Sequence, residues 1–153
     1  MLQNSTYLVR YVPELHRFLD EYPDVELPGA EDYLYWSKVQ FGLKPTVRIN
    51  HVVIYPLRSG ANEPGAVAIA SKMIYASHYF HTALELKFLV QDTARPVTDK
   101  GYYLISVNRS RSDGLTGLFG GIVRATAQSE ARKGLESGLV AAKAVLEGNR
   151  RSE

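Results

Sequence analysis

The sequence predicts an α+β protein: two short N-terminal helices, an antiparallel β-meander, and a long C-terminal helix. Two observations support this class. Between residues 46 and 109 the apolar pattern changes from helical spacing to strand-like alternation, in four segments separated by loops. From residue 118 to 146, large apolar residues recur three and four apart, which is typical of a packed helix. Strands that follow one another through short loops usually pair with their sequence neighbours.

Two helices are predicted before the sheet. Residues 5–12 are compatible with either a strand or the lead-in to a helix. Pro13 suits the first turn of a helix, and Tyr22-Pro23 ends it. The apolar face of this helix is formed by Leu15, Phe18 and Leu19. A second helix is predicted over residues 30–40, with Gly42 just beyond its end.

Four strands are predicted, over residues 46–57, 66–75, 82–91 and 102–109. The third has the clearest alternation, with Leu84, Leu86, Phe88 and Val90 opposite Glu85, Lys87 and Leu89. A sheet with an apolar face has to be covered by another element. Because the C-terminal helix is the only element long enough, we expect it to lie across the sheet.

The C-terminal helix carries a second stripe, made of small residues. Its members are Ala127, Ala131, Gly134, Gly138 and Ala141. Glycine inside a helix costs roughly 1 kcal/mol relative to alanine, so two glycines four residues apart need a reason. Either another segment packs very close to this stripe, or the stripe leaves room for a molecule that is not protein.

Composition narrows the class of protein. With 153 residues, 45% hydrophobic and 22% charged, we expect one soluble domain. A net charge of +2 does not favour a nucleic-acid surface. Without cysteine there are no disulfides, thiolate nucleophiles or sulfur-based zinc sites. No apolar run is long enough for a membrane span, and the N-terminus lacks the features of a signal peptide. Two cellular locations agree with the sequence: the cytoplasm, or the periplasm if a leader was removed.

The order of elements, together with Gly101-Tyr102-Tyr103-Leu104, Asn108-Arg109 and Asp113-Gly114-Leu115, resembles the START-like superfamily of polyketide cyclases and lipid-transport proteins (SRPBCC). The resemblance implies one helix-grip domain over residues 1–153, with a curved meander holding the terminal helix. The chain is also similar to a bacterial group sharing Tyr35-Trp36-Ser37-Lys38 and Ala76-Ser77-His78-Tyr79-Phe80. The family's meander has more strands than the four predicted, which favours either missing N-terminal strands or a dimer that completes the sheet.

Arg109 is the first candidate binding residue. It falls on the same side of its strand as Tyr103, Ile105 and Val107. In a START-like cavity its guanidinium would bind a carboxylate or phosphate head group at the end of an apolar pocket. The alternative is structural, with Arg109 pairing with Asp113 to hold the turn that follows the strand.

An aromatic group forms the second candidate site. Its members are Tyr75, His78, Tyr79, Phe80, Tyr102 and Tyr103. These side chains would pack across strands, line a pocket with hydroxyl donors, or supply an acid/base pair such as His78 with Tyr102. His51, His78, His81 and Glu85 match no standard zinc spacing, so neither a metal nor a cofactor is predicted.

The leading hypothesis is binding or transport of a hydrophobic small molecule or lipid in a cavity between the sheet and the C-terminal helix. The predicted ligand-binding residues are Tyr75, His78, Tyr79, Tyr103, Arg109, Gly134 and Gly138. The alternative is a non-catalytic interaction protein that forms a homodimer through a sheet edge or helix face. A cyclase- or dehydratase-like enzyme comes third, since it needs a pair such as His78 and Glu85 to converge. No catalytic residue is predicted.

Overall fold

The computed structural model describes residues 2, 5–41, 44–58, 64–92, 94, 101–112 and 120–149. The elements are α1 (Thr6–Tyr11), α2 (Pro13–Glu21), β1 (Glu31–Phe41), β2 (Lys44–Arg58), β3 (Pro64–Ala76), β4 (Phe80–Asp92), β5 (Gly101–Ser112) and α3 (Gly120–Asn149). They fall into two compact units, Met1–Ser112 and Asp113–Glu153. The predicted α+β class, with short N-terminal helices, an antiparallel meander and a C-terminal helix, is confirmed.

The sheet has five antiparallel strands in the order β1-β2-β3-β4-β5. Every strand therefore pairs with its neighbours in sequence, as the short connections predict. Among the residues that the structure describes, β1 and β5 each pair on one side only, so both are sheet edges.

The predicted helix over residues 30–40 is wrong, because this segment is strand β1. It pairs with β2 along its whole length, from Glu31 opposite Ile54 to Phe41 opposite Lys44. Aromatic residues favour strands, and the pairing with β2 decides between a local helical spacing and an extended chain. Within the described part of the chain the meander thus has five strands instead of the four predicted.

The N-terminal helices build the core against one face of the sheet. Leu8 in α1 and Leu15 and Leu19 in α2 are fully buried. They join one hydrophobic cluster that also contains Leu2, Val12, Phe18, Leu27, Val53, Ala68, Ala70, Leu84 and Leu86. We call this side of the sheet the helix face. The small side chains at positions 68 and 70 leave space for the helices to pack closely against β3.

A hydrogen bond and a stack of two rings also connect α2 and the residue after it to the helix face. The Lys72 side chain in β3 donates a hydrogen bond from Nζ to the Leu19 carbonyl, in the last turn of α2. A cation is favourable at a helix C-terminus, where the carbonyl dipoles point outward. The Tyr22 ring, just after α2, stacks on the His51 ring of β2 with 3.8 Å between centroids.

Helix α3 is 30 residues long, and among its described side chains none is buried. Leu135, Leu139 and Ala142 are half-buried, and they follow the predicted stripe of large residues. Two ion pairs between residues four apart stabilise the helix on its exposed surface: Arg132 with Glu136 at 2.9 Å and Lys143 with Glu147 at 3.8 Å. Among the described helices, none combines the length and apolar character that crossing a membrane requires.

The two glycines of α3 lead to a stability prediction. A Cβ built at Gly134 or Gly138 meets no heavy atom within 4 Å, so no close contact requires glycine at either position. We expect Gly134→Ala and Gly138→Ala each to stabilise α3 by about 1 kcal/mol, because alanine is the better helix former. Circular dichroism during thermal unfolding measures the effect. A loss of helicity on substitution would mean that another molecule packs on this stripe.

Candidate functional site

The strand register assigns side chains to two faces of the sheet. Directly opposed residues of antiparallel strands share a face, and successive residues alternate. Val53, Ala70 and Leu84 therefore lie on the helix face with the core. The opposite side, which we call the second face, carries Asn50, Val52 and Met73.

The second face carries apolar side chains mainly on β1 to β3, whereas its positions on β4 and β5 are mostly polar, among them Glu85, Lys87 and Asn108. Its apolar side chains are Tyr33 and Tyr35 of β1, Val52 and Ile54 of β2, Ile69 and Met73 of β3, Leu89 of β4, and Tyr102 and Leu104 of β5. Val52 and Met73 are buried at 6% and 5% exposure, although neither belongs to the core cluster on the helix face. Toward the edges exposure rises, to 51% at Tyr33 and 59% at Tyr102. On the second face, the apolar side chains of β2 and β3 are thus buried, whereas the tyrosines of the edge strands β1 and β5 are exposed.

Four polar side chains lie close together on the second face, near one end of β1 and β2. Ser37 lies on β1, and Thr46, Arg48 and Asn50 follow at alternate positions on β2. We call these four residues the polar cluster. Thr46 is fully buried and Asn50 is 6% exposed, while Ser37 and Arg48 are half-buried. The buried atoms Ser37 Oγ, Thr46 Oγ1, Arg48 Nε and Asn50 Nδ2 have no hydrogen-bond partner within the described part of the chain.

The register brings the polar cluster within reach of one small ligand group. Ser37 is directly opposite Arg48, which places their Cβ atoms about 5 Å apart. Arg48 and Asn50 are two residues apart on one strand, a separation of about 7 Å. Because Arg48 has a long side chain, its guanidinium and the Asn50 amide can contact the same group.

No carboxylate of the described residues pairs with Arg48. Its cross-strand neighbours are Ser37 on β1 and Ala76 on β3. Of the acidic residues on the second face, Glu31 lies toward the other end of β1, opposite Ile54. Glu85 on β4 pairs with Lys87 at 3.1 Å. The second face therefore holds a half-buried positive charge without a counter-charge from the described residues.

Three of the sequence-predicted ligand-binding residues lie at the β3–β4 connection. Tyr75 lies next to the end of β3. His78 and Tyr79 follow in the connection to β4, and the centroids of their rings are 6.0 Å apart. Tyr79 has a φ of 67°, a left-handed conformation that a tight turn accommodates. The pairing of β3 with β4 ends at Lys72 opposite Leu84, so residues 73–83 separate the two paired segments.

Arg109 and Tyr103 lie far apart on β5. Arg109 is opposite Leu84, near the end of the sheet that carries the β3–β4 hairpin. Tyr103 is opposite Val90, near the other end, and its hydroxyl donates to Asp92 Oδ2 at 3.3 Å. Both are on the helix face, as their parity predicts, and both are exposed. The structure thus brings Arg109 toward the hairpin but separates it from Tyr103. Asp113, its predicted partner, lies outside the described residues.

Gly134 and Gly138 belong to α3, in the second unit, and the structure describes them only within that helix. The turn predicted at Asp113-Gly114-Leu115 lies outside the described residues. His78 and Glu85, the pair needed by an enzyme, are not brought together: Glu85 is five residues into β4, roughly 17 Å along the strand.

His51 is a structural histidine on the helix face. It is fully buried, and its Nε2 lies 2.8 Å from Asp32 Oδ2 on β1. Because an ionised carboxylate only accepts, Nε2 is the nitrogen that donates. Among the described residues no group of three potential metal ligands is found, and His78 and His81 are exposed at the hairpin.

Three hollows, of about 590, 460 and 360 Å³, surround the N-terminal helices and the segment that follows them. The largest lies between α1, α2 and β2, and is lined by Tyr11, Val12, Glu14, Pro28, Gly29, Tyr55, Pro56 and Leu57. None of the sequence-predicted ligand-binding residues lines any of the three.

The sequence does not predict the polar cluster, because the apolar spacing of residues 30–40 indicates a helix. On a helix, Ser37 has no fixed relation to Arg48 or Asn50. The available signal was the alternation of Tyr33, Tyr35 and Ser37 with Leu34, Trp36 and Lys38. That pattern supports a strand as well as a helix, and only pairing with β2 decides between them.

Comparison with known proteins found no matching family model, no matching curated protein and no matching solved structure. The START-like resemblance therefore stays a prediction. Function has to be argued from the geometry of this chain.

Proposed function

We propose that this protein binds a hydrophobic small molecule or lipid on the second face of its sheet. The observation that carries the proposal is the set of apolar side chains on β1 to β3 of that face, which is separate from the core that α1 and α2 build on the helix face. Apolar side chains on both faces of a sheet need a covering layer on each face, or a ligand on one of them. The proposed site is built from the residues of β1 to β5.

The exposed tyrosines at the two edges support a small ligand with both apolar and polar parts. Tyr35 on β1 is 40% exposed and Tyr102 on β5 is 59% exposed. Tyrosine offers a large apolar ring together with a hydroxyl that stays wet, a combination suited to the border of a binding site. Buried Val52 and Met73 between these edges provide the apolar floor.

A titration with Nile red, a neutral dye that fluoresces in apolar sites, tests the proposal. We expect saturable binding by the wild-type protein. Tyr35→Ser and Tyr102→Ser should each weaken it about fivefold, since one aromatic contact contributes about 1 kcal/mol. The matched control is Tyr7→Ser: Tyr7 is on α1 and 79% exposed. Absence of binding, or an equal loss in Tyr7→Ser, would contradict the proposal.

A second candidate function is formation of a homodimer along β5. Among the described strands it pairs with β4 alone, and Tyr103, Ile105 and Val107 are 60%, 49% and 43% exposed on its helix face. An edge strand with exposed apolar residues is a ready surface for a second copy. Sedimentation velocity over a range of concentrations tests this candidate, and a monomer at all of them would count against it.

A further inference from the structure

The polar cluster contains buried hydrogen-bond donors that have no acceptor within the described part of the chain. Arg48 Nε and Asn50 Nδ2 are buried, and within the described part of the chain neither has a partner. A buried polar group left unpaired destabilises a protein, so native structures pair nearly all such groups with protein, water or a ligand. The polar cluster therefore points to a molecule that supplies the missing acceptors.

The atoms of the polar cluster define the chemistry of that acceptor. A guanidinium is a donor only, and the amide nitrogen of asparagine carries two further donor hydrogens. The hydroxyls of Ser37 and Thr46, whose oxygens are also buried and unpaired, can donate as well. A carboxylate is the complementary group, because its two oxygens accept several hydrogen bonds and match a guanidinium in shape.

Charge supports a carboxylate over a phosphate. Within the polar cluster Arg48 is the one charged residue, and no described carboxylate neutralises it. One guanidinium balances the single charge of a carboxylate, whereas a phosphate monoester carries about two negative charges. Val52 and Met73, which continue the second face beside Asn50, are apolar and buried.

We propose that the polar cluster binds the carboxylate of an amphiphilic ligand, with Arg48 and Asn50 as the anchoring residues and the apolar part on the second face. The ligand class is a monocarboxylic acid with an apolar body, such as a fatty acid. This inference rests on the proposed function and specifies the ligand of the same site.

Displacement of Nile red by dodecanoate and by 1-dodecanol tests the anchor, because the two ligands share an alkyl chain and differ in the head group. We expect the wild-type protein to bind dodecanoate at least about tenfold more tightly than dodecanol, as charge-assisted hydrogen bonds contribute strongly. In Arg48→Met this preference should fall to about one. Affinity for dodecanol should stay within about twofold of the wild-type value.

Two further variants separate an anchor from a structural role. Asn50→Leu should reduce the preference for dodecanoate while raising Tm, because it removes an unpaired buried amide. Arg109→Met is the matched control. The sequence predicts that Arg109 also binds a head group, but it lies on the helix face. Its preference for dodecanoate should equal that of the wild type.

The outcomes distinguish this inference from the proposed function. Equal displacement by both ligands, or loss of the preference in Arg109→Met but not in Arg48→Met, would overturn the anchor and leave apolar binding intact. If the wild-type protein binds neither Nile red nor either ligand, both proposals fail. A lower Tm in Asn50→Leu would show that Asn50 supports the fold, and would also contradict the anchor.

Discussion

Leu15→Ala is expected to destabilise the N-terminal unit by about 2–5 kcal/mol. Leu15 is fully buried in the cluster that joins α2 to the sheet, and its removal leaves a cavity lined by large apolar side chains. The loss comes from the apolar area no longer buried and from the empty volume that the neighbours cannot fill. Since domains are stable by only about 5–15 kcal/mol, this one change should remove a large part of the total.

Urea denaturation followed by tyrosine and tryptophan fluorescence measures the effect of Leu15→Ala. The matched control is Val9→Ala in α1, where the side chain is 50% exposed. We expect the control to change stability by no more than about 0.5 kcal/mol. If Leu15→Ala were as mild as the control, the packing of α2 on the helix face would be wrong.

Asp32→Val is expected to destabilise the same unit by about 1–3 kcal/mol, because it leaves a buried histidine nitrogen without its partner. His51 is fully buried, and Asp32 Oδ2 is the acceptor for its Nε2. Its other ring nitrogen, Nδ1, already lacks a partner within the described residues. Loss of Asp32 would therefore leave both ring nitrogens unpaired.

The double variant Asp32→Val/His51→Leu separates the hydrogen bond from the packing. Replacing both partners by apolar groups removes the unpaired nitrogen as well as its acceptor, so the double variant should be more stable than Asp32→Val. Glu31→Val is the control, since Glu31 is the exposed neighbour on the same strand. A double variant less stable than Asp32→Val would mean that the histidine ring itself, stacked on Tyr22, holds this region together.

Where burial and local pattern agree, the fold could be predicted from the sequence. In β4, Leu84 and Leu86 are buried at 3% and 7%, and Glu85 and Lys87 face the other way and pair with each other. In α2, Pro13 starts the helix and Leu15 and Leu19 are buried, as their spacing indicates. In these elements the local period and the tertiary contacts favour the same structure.

The candidate site could not be predicted, because it depends on pairing between distant segments. Residues 30–40 carry apolar residues that suit a helix or a strand, and the pairing with β2 selects the strand. Without that register, neither Ser37 with Arg48 nor Asp32 with His51 can be recognised as neighbours. The predicted ligand-binding residues lie instead at the β3–β4 connection, near both ends of β5, and in α3.

The contacts of α1 and α2 have a consequence for synthesis on the ribosome. These helices are synthesised before the sheet, yet their apolar residues belong to a cluster that includes Leu84 and Leu86 of β4, the fourth strand in chain order. The meander itself can grow by adding one hairpin at a time as the chain lengthens, because each strand needs only the preceding one. Leu8 in α1 and Leu15 and Leu19 in α2 thus lack their final partners until β4 has emerged from the ribosome. During this interval the nascent chain most needs protection from aggregation.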